Sequence, residues 1–521
     1  MPDMSYISEM FPELRDIDTA FIIKNDRSVC YCEKTCRLTD EKYILSVKGK
    51  SVEITCSGEK SGFYALCDIA KRVRESRLHD GEYVCSPAFA VRGYIEGFYG
   101  TPWTRENRLS IMTLMAKNRM NTVYHAPKDD PYHRELWRDL YPENELMMLR
   151  ELVENAQKYY MNFCWCIAPG LSMKYSDDNE FSALIKKTEQ LYSIGIRNFG
   201  LLLDDIDEEL FFNEDKERYG ETVNAHIDLI NRYYNAVTAI DKNVKVIVCP
   251  TLYHGNGNEY YISKLGQNIS PMISLFWTGK DICSREIKSS EAVQFIENTR
   301  HKPLYWDNYP VNDCAMHNEM HISPIIGRDS DLYKYSEGII ANCMEYAECS
   351  KIPLITIADY LWDSENYDSE TSFENAVKQI IGKEDAEGFL AFADHLYTSC
   401  LLDSNSRRMN SAFREIAKEY RKGNKDSAFA LYENYLTKLK NGRDYLRRDL
   451  PICKELEKWS RKFSVKCDLT EAVYRYIKTA DKAVLDEISE ITDKYYSLPA
   501  KISEDSNIKV ELEVFLKMLG L

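Results

Sequence analysis

The amino-acid sequence predicts an α/β protein whose main part is a (β/α)8 barrel. Two observations carry this prediction. Eight short apolar runs alternate with amphipathic helical stretches over about 270 residues, which is the pattern that a closed barrel requires. The sequence also lacks the Gly-x-Gly-x-x-Gly and Walker A turns that are typical of open nucleotide-binding sheets. We therefore assign residues 89–367 to the barrel.

The eight strand-like runs are short and apolar, and each is followed by polar or turn-forming residues. Several contain cysteines, such as Cys164, Cys166 and Cys249, which we interpret as reduced, buried thiols. The predicted strands are residues 91–99, 122–125, 162–168, 199–203, 245–249, 272–276, 303–306 and 338–341.

The segments on either side of the barrel have different patterns. Residues 1–88 combine β-like stretches with one helix-like run and predict a small α/β accessory domain. Residues 368–521 are rich in helix formers mixed with Lys and Glu, and they predict a helical domain. The β-like stretches are 43–47 and 52–56, the helix-like run is 63–73, and the helical pattern is clearest at 411–435 and 468–496.

The charge balance limits the partners of the protein. With 83 acidic against 67 basic residues the net charge is −16, which disfavours binding to a phosphate backbone, so we predict no nucleic-acid partner. No apolar run approaches the ~18 residues that span a bilayer, which predicts no membrane partner. The first five residues lack the features of a signal peptide, so we expect a cytoplasmic location, with secretion open if the N-terminus is processed or truncated. The oligomeric state is not predicted.

Polar and aromatic residues follow nearly every predicted strand. In a (β/α)8 barrel the loops after the strands converge on one face, where the active site lies. These residues are therefore the candidates for function. The motifs are Glu96-Gly97-Phe98-Tyr99-Gly100, Ala126-Pro127-Lys128-Asp129-Asp130, Asp204-Asp205-Ile206-Asp207, Cys249-Pro250-Thr251-Leu252-Tyr253, Trp277-Thr278-Gly279, and Trp306-Asp307-Asn308 with Asp313 nearby.

The combination of an acidic pair with aromatic and amide side chains indicates a sugar site. Asp204 and Asp205 follow a buried strand, which favours a catalytic role over a solvated acidic turn. Neighbours on one strand end can hardly lie on opposite faces of a sugar ring, as a direct displacement requires. We therefore expect one carboxyl to protonate the leaving oxygen, while the other orients a substrate acetamido group that attacks the anomeric carbon.

A metal site is the main competing interpretation. His125 and His254 flank the predicted mouth, and the spacing of His317 and His321 predicts two imidazoles on one helix face. Glu319 stands one place later than the His-Glu-x-x-His pattern demands, and no third ligand is evident nearby. We predict neither a catalytic metal nor a cofactor.

Taken in order, the six strand-end motifs resemble those of the O-GlcNAcase family, glycoside hydrolase family eighty-four, and the flanking domains look like those of its bacterial members. The resemblance implies removal of terminal β-linked N-acetylglucosamine from a glycan or glycoprotein, with retention, through an oxazoline intermediate. It implies that Asp204 polarises the acetamide N–H and that Asp205 is the general acid and then the base. It also implies that Tyr253 supports the acetamide oxygen or the intermediate and that Trp306 lines the acetamide pocket. The residues implied to hold the sugar hydroxyls or its carbonyl region are Gly97, Lys128, Asn308, Asp313 and Asn342.

One motif departs from the family pattern. Many bacterial members have Asn-Pro-Met-Glu-Tyr where this chain has Asn342-Cys343-Met344-Glu345-Tyr346. Without proline φ is freer at Cys343, which predicts a looser loop around Asn342. Two alternatives to an O-GlcNAcase-like activity remain open, a hyaluronidase-like or other β-hexosaminidase specificity and a non-catalytic carbohydrate-binding pseudo-enzyme.

Overall fold

The structure is a computed structural model that describes residues 10–24, 28–31, 34–397, 401, 406–502, 515–517 and 519–520. The first five residues, on which the expectation about a signal peptide rests, lie outside this set.

The N-terminal segment forms the predicted α/β domain. Its sheet has the strand order β1-β5-β4-β6, in which β1 and β5 are parallel and the other pairs antiparallel, and β2 and β3 form a separate hairpin. Helix α1 supplies buried Phe63, Tyr64 and Leu66 to the core. The elements are β1 (Asp18–Ile23), β2 (Ser28–Tyr31), β3 (Lys34–Arg37), β4 (Tyr43–Lys48), β5 (Ser51–Cys56), α1 (Glu59–Arg74) and β6 (Gly81–Cys85).

The next eight strands form a closed parallel barrel, which confirms the predicted fold class. Each predicted run contains a strand, but the first ends before Gly97, so residues 97–99 belong to the loop at the mouth. The sixth begins only after residue 273, because a turn closed by the Ile273 N–H and the Ser270 carbonyl precedes it. The strands are β7 (Val91–Glu96), β8 (Thr122–His125), β9 (Asn162–Ile167), β10 (Asn198–Leu202), β11 (Lys245–Cys249), β12 (Ser274–Trp277), β13 (Pro303–Asp307) and β14 (Gly338–Asn342).

Successive side chains of each strand point alternately into the barrel and outward toward the helices. On β9, Cys164 and Cys166 belong to the interior cluster, whereas Phe163 and Trp165 pack outward. Both cysteines and Cys249 are free and buried, as the apolar runs predicted. A closed barrel therefore leaves only the ends of the strands available for chemistry.

Helices cover the barrel, and the one before the C-terminal segment, Ala347–Trp362, is buried on nearly every side. They are α2 (Arg105–Lys117), α3 (Glu143–Lys158), α4 (Asp178–Ser193), α5 (Asn213–Tyr219), α6 (Thr222–Ile240), α7 (Tyr260–Asn268), α8 (Ser289–Thr299) and α9 (Ala347–Trp362). Between β13 and β14, the fully described residues 308–337 contain two 3-10 helices, Cys314–Met316 and Leu332–Lys334, in place of an α-helix. The expectation that His317 and His321 share a helix face is therefore wrong, since both follow the first 3-10 helix in irregular chain.

The C-terminal segment is helical, as predicted. Both stretches with the clearest helical pattern are interrupted, one at Gly423, where φ is 85°, and the other at Ala480, where φ is 53°. No helix within the described residues is long and apolar enough to cross a membrane. The helices are α10 (Ser369–Ile381), α11 (Ala386–Ala393), α12 (Arg407–Arg421), α13 (Lys425–Leu446), α14 (Pro451–Glu455), α15 (Glu457–Thr479) and α16 (Ala483–Ser497).

The helical domain contacts the chain between β13 and β14. The indole N–H of buried Trp459, on α15, donates a 2.9 Å hydrogen bond to the carbonyl of Asn318. The backbone N–H of Lys501 donates to the same carbonyl at 2.8 Å. The helical domain thus holds the connection that carries Asn308 and Asp313.

Candidate active site

A cavity of about 690 Å³ opens at the carboxyl end of the barrel. All the residues predicted to form the site line this cavity, although they come from six different strand ends. They are Gly97, Lys128, Asp204, Asp205, Tyr253, Trp306, Asn308, Asp313 and Asn342.

The acidic pair lies at one side of the cavity, directly beyond β10. The Leu203 N–H bonds to the Cys249 carbonyl at 2.8 Å, which continues the ladder to the residue before the pair. The backbone then turns sharply, because Asp205 has a left-handed φ of 52°. The side chain of Asp204 is 9% exposed and that of Asp205 is 34% exposed. Asp205 therefore faces the open part of the cavity, while Asp204 is nearly enclosed.

Lys128 lies beside both carboxylates. Its Nζ is 3.6 Å from Oδ2 of Asp204 and 3.9 Å from Oδ2 of Asp205. Burial alone would lower the pKa of Lys128, but the charges of Asp204 and Asp205, together with Tyr99, outweigh this effect and raise it. Lys128 therefore remains an ammonium ion and compensates the negative charge of the pair.

Two tyrosines donate to Asp205. The hydroxyl of Tyr99 is 2.8 Å from Oδ2, and that of Tyr253 is 3.3 Å from Oδ1. Burial raises the pKa of both phenols, and the neighbouring carboxylates raise that of Tyr253 further. Both hydroxyls keep their protons at neutral pH and can hold the carboxylate oxygens in place.

An aromatic and amide cluster forms the other side of the cavity. Oδ1 of Asn308 accepts from Nε1 of Trp306 at 3.1 Å and from Nδ2 of Asn342 at 2.9 Å. Oδ1 of Asn342 is buried without a hydrogen-bond partner among the described residues, so it is available to a ligand. A Cβ on Gly97 would lie 2.7 Å from Cζ2 of Trp306, so only glycine allows this approach.

The chain around Asn342 is held more firmly than the missing proline suggested. The N–H of Cys343 donates to the carbonyl of Ile95 at 3.3 Å, a bond that proline cannot make. The Cys343 side chain is fully buried. The backbone next to Asn342 is therefore tied to β7.

The candidate metal-binding histidines do not come together. His254 lines the cavity, but His125 is buried behind it beside Glu96 and Arg108. His321 contacts Glu319 at 3.0 Å, away from the cavity. Within the described ranges, no group of three or more His, Cys, Asp or Glu side chains is arranged to hold a metal ion.

The site thus combines a charged side with a neutral aromatic and amide side, an arrangement suited to a polyhydroxylated ring that carries an amide.

Comparison with known proteins agrees with this chemistry. A model of the beta-N-acetylglucosaminidase family matches residues 92–394, a range that includes the whole cavity lining. The chain belongs to this family. As a beta-N-acetylglucosaminidase family member, it has the barrel fold that its alternating pattern predicted.

Relatives of this family member include the protein O-GlcNAcase of Rattus norvegicus, which is 31% identical over 274 residues. The aligned part covers 51% of this chain but only 29% of that relative, so the chain spans under a third of its length. Among solved structures, a variant of the Thermobaculum terrenum O-GlcNAc hydrolase is 29% identical, with a TM-score of 0.74 over 83% of this chain and 94% of that one. CpGH84B is 26% identical, with a TM-score of 0.78 over 92% and 86% of the two chains.

Sequence reasoning missed two residues of this family member's site. Tyr99 was visible in a strand-end motif, but nothing local showed that its hydroxyl reaches Asp205. Arg134 lies beyond β8 in an irregular segment, and its guanidinium contacts both Tyr99 and the backbone of Asp205. No periodicity or motif marks such a residue, because its role depends on the path of a loop.

Proposed function

We propose that this chain is an O-GlcNAcase-like exo-enzyme that removes terminal β-linked N-acetylglucosamine from a glycan or glycoprotein with retention. The substrate's own acetamide attacks the anomeric carbon and forms an oxazoline, and water then opens this intermediate. The enzyme supplies proton transfer and positioning, but no nucleophile.

The observation that carries the proposal is the placement of the acidic pair. Asp204 and Asp205 are adjacent at one strand end, and one ammonium group, that of Lys128, lies within 4 Å of both. A direct retaining mechanism places its two carboxyls about 5–5.5 Å apart on either side of the anomeric centre. Two neighbours on the same side of the cavity do not suit that task, whereas they can serve the leaving oxygen and the acetamide of one sugar.

Each role follows from exposure and contacts. Asp205 is the more exposed carboxyl, so it can reach the glycosidic oxygen, protonate it as the C–O bond breaks, and later accept a proton from water. Asp204 is enclosed beside Lys128 and can accept the acetamide N–H as the amide oxygen attacks. Tyr253 lies next to this pair, and when the substrate binds, its one hydroxyl proton can turn from Asp205 to the acetamide oxygen. The indole ring of Trp306 lines the cavity and can pack against the sugar. Oδ1 of Asn342, which has no partner among the described residues, can accept a hydrogen bond from a sugar hydroxyl.

A direct enzymic nucleophile is the rival mechanism, and Asp313 is the residue that could provide it. Asp313 lines the same cavity, and one of its oxygens accepts from the Tyr99 backbone N–H at 2.8 Å. A nucleophilic Asp313 would not need a 2-acetamido group. The two mechanisms therefore differ in the substrates that they tolerate.

The test is steady-state hydrolysis of an aryl β-N-acetylglucosaminide beside the matching aryl β-glucoside, with Asp205→Asn as the control. We expect turnover of the acetamido sugar alone, slowed in the variant, and a β-configured product when the reaction is followed by NMR. Turnover of the plain glucoside would contradict the proposal and favour Asp313. If the folded protein binds the sugar but does not hydrolyse it, the chain is a pseudo-enzyme. If it hydrolyses the aryl β-N-acetylgalactosaminide as fast as the aryl β-N-acetylglucosaminide, it is a hexosaminidase of broader specificity.

A further inference from the structure

Arg134 lies in the irregular segment between β8 and α3, and its neighbour His133 anchors this segment to β9. The His133 carbonyl accepts the Ala168 N–H at 2.9 Å, and its Nδ1 is 2.7 Å from the Cys166 carbonyl. His133 is also buried. The backbone that carries Arg134 is therefore held firmly against the barrel, close to its carboxyl end.

The guanidinium of Arg134 makes two contacts at the acidic pair. One N–H donates to the hydroxyl oxygen of Tyr99 at 3.2 Å, and another donates to the backbone carbonyl of Asp205 at 3.3 Å. Its Nε is buried and has no hydrogen-bond partner within the described ranges. Among the residues that the structure describes, Arg134 forms no ion pair, in contrast to its neighbour Arg138, which pairs with Glu180.

These two contacts constrain Asp205 in different ways. Since the Tyr99 oxygen accepts from Arg134, its own proton points away from Arg134 and toward Oδ2 of Asp205, 2.8 Å away. The bond to the Asp205 carbonyl holds a residue whose φ of 52° lies in the left-handed region, which is uncommon for residues other than glycine. Arg134 thus fixes both the backbone and one carboxylate oxygen of Asp205.

We infer that Arg134 is a positioning residue for Asp205, acting through Tyr99 and through the Asp205 carbonyl. This inference rests on the proposed function, in which Asp205 transfers the proton to the leaving oxygen. Arg134 does not line the cavity, so in this scheme it acts on the substrate only through other groups. Arg134 keeps the Asp205 carboxyl oriented toward the glycosidic oxygen. Removing Arg134 is therefore expected to slow hydrolysis most for substrates whose leaving group must be protonated.

The test compares two substrates in four proteins: the wild type, Arg134→Met, Arg134→Lys and the control Arg138→Met. Arg138 lies four residues farther along the same segment, where it pairs with Glu180 outside the cavity. The substrates are an alkyl β-N-acetylglucosaminide, with a poor leaving group, and the 4-nitrophenyl glycoside, with a good one. Melting temperatures are measured for all four proteins.

For Arg134→Met we expect kcat to fall about 30-fold on the alkyl glycoside and less than about threefold on the nitrophenyl glycoside, with KM within about a factor of two. Arg134→Lys recovers part of the loss, because one ammonium can reach one of the two oxygens but not both. Arg138→Met leaves the ratio of the two rates unchanged. Since Arg134 acts through Tyr99, Arg134→Met combined with Tyr99→Phe loses less than the product of the single losses.

Equal losses on both substrates, or multiplicative losses in the double variant, would overturn the positioning role while leaving the proposed function intact. Unchanged rates in Arg134→Met would do the same. If Arg134→Met is poorly folded, the ratio measured in Arg134→Lys decides the question. If the wild type hydrolyses neither of the two substrates, the proposed function and this inference are both overturned.

Discussion

The side-chain amide of Asn342 donates a 2.9 Å hydrogen bond to Oδ1 of Asn308, between the ends of the neighbouring strands β14 and β13. The amide group of Asn308 donates in turn to the Ile282 carbonyl at 2.7 Å. Asn308 thus makes three hydrogen bonds within the protein and keeps a second N–H, whereas Oδ1 of Asn342 has no partner in the described part of the chain. We therefore expect Oδ1 of Asn342 to contact the sugar, and we expect Asn308 both to hold Asn342 in place and to keep one N–H for the ligand.

The first prediction is that Asn342→Ala lowers kcat/KM for an aryl β-N-acetylglucosaminide by about tenfold or more, because a hydrogen bond to the sugar is lost. The matched control is Asn298→Ala on α8, whose side chain lies outside the cavity and bonds to the Gln294 carbonyl. A normal kcat/KM in Asn342→Ala would contradict the contact. The measurement is steady-state kinetics on both variants.

Asp205→Asn tests the general acid. We expect kcat to fall by about 10²–10⁴-fold on a poor leaving group and by much less on an activated aryl glycoside, since activated groups leave with little protonation. The measurement is kcat on a series of aryl glycosides with graded leaving groups. Losses that do not depend on the leaving group would argue against the role of Asp205 as an acid.

Asp204→Ala with added azide tests the source of the nucleophile. If the substrate's acetamide attacks, we expect a large loss of turnover and no rescue by azide, because no enzymic nucleophile has been removed. The readout is the rate and the appearance of a glycosyl azide product. Recovery of activity with formation of that azide would identify Asp204 as a nucleophile and contradict our assignment.

Trp459→Phe tests whether the helical domain supports the site. Loss of the indole bond to Asn318 is expected to lower the free energy of unfolding by about 1–3 kcal/mol and to lower kcat/KM severalfold, since the chain that carries Asp313 is released. The control is Tyr432→Phe, which removes a buried 3.0 Å bond to the Thr470 carbonyl within the helical domain. We expect it to reduce stability without changing kcat/KM. The same kcat/KM in Trp459→Phe and Tyr432→Phe would contradict a role of the helical domain in supporting the site.

The stability of the protein is expected to fall in mild acid, in part because of His226. Burial lowers the pKa of His226 from 6.5 to about 3, and its nitrogens contact the hydroxyls of Tyr261 and Tyr175. Between these pH values the unfolded chain binds a proton that the folded chain does not. The stability associated with the neutral ring is therefore fully present above pH 6.5 and decreases by up to about 1.4 kcal/mol per pH unit toward pH 3.

Denaturant unfolding of the wild type and His226→Gln between pH 7 and pH 5 measures this contribution. Glutamine does not titrate, so we expect the stability difference between the two proteins to narrow as the pH falls. A difference that stays constant over this range would show that His226 titrates alike in the folded and unfolded chain.

Much of the fold could be predicted because strand-forming residues leave a local pattern. The eight apolar runs marked the strands to within a few residues, and the family resemblance of the motifs after them pointed to the residues that line the cavity. The path of the chain between β13 and β14 could not be predicted in this way. The spacing of His317 and His321 fits a helix, but the segment instead follows an irregular path held by Trp459 and Lys501 from the helical domain.

The sequence by itself determined that the polar residues after the strands meet on one face, since a closed parallel barrel places all its carboxyl ends together. It also determined the acidic pair and the amide and aromatic residues opposite. Only the tertiary structure decided which donor reaches which acceptor. Arg134 reaches Tyr99 and Asp205, Lys128 lies within 4 Å of both carboxylates, and Oδ1 of Asn342 has no partner among the residues described. The reason is physical, because these contacts join residues from separate loops, and the path of a loop depends on distant packing that no local pattern records.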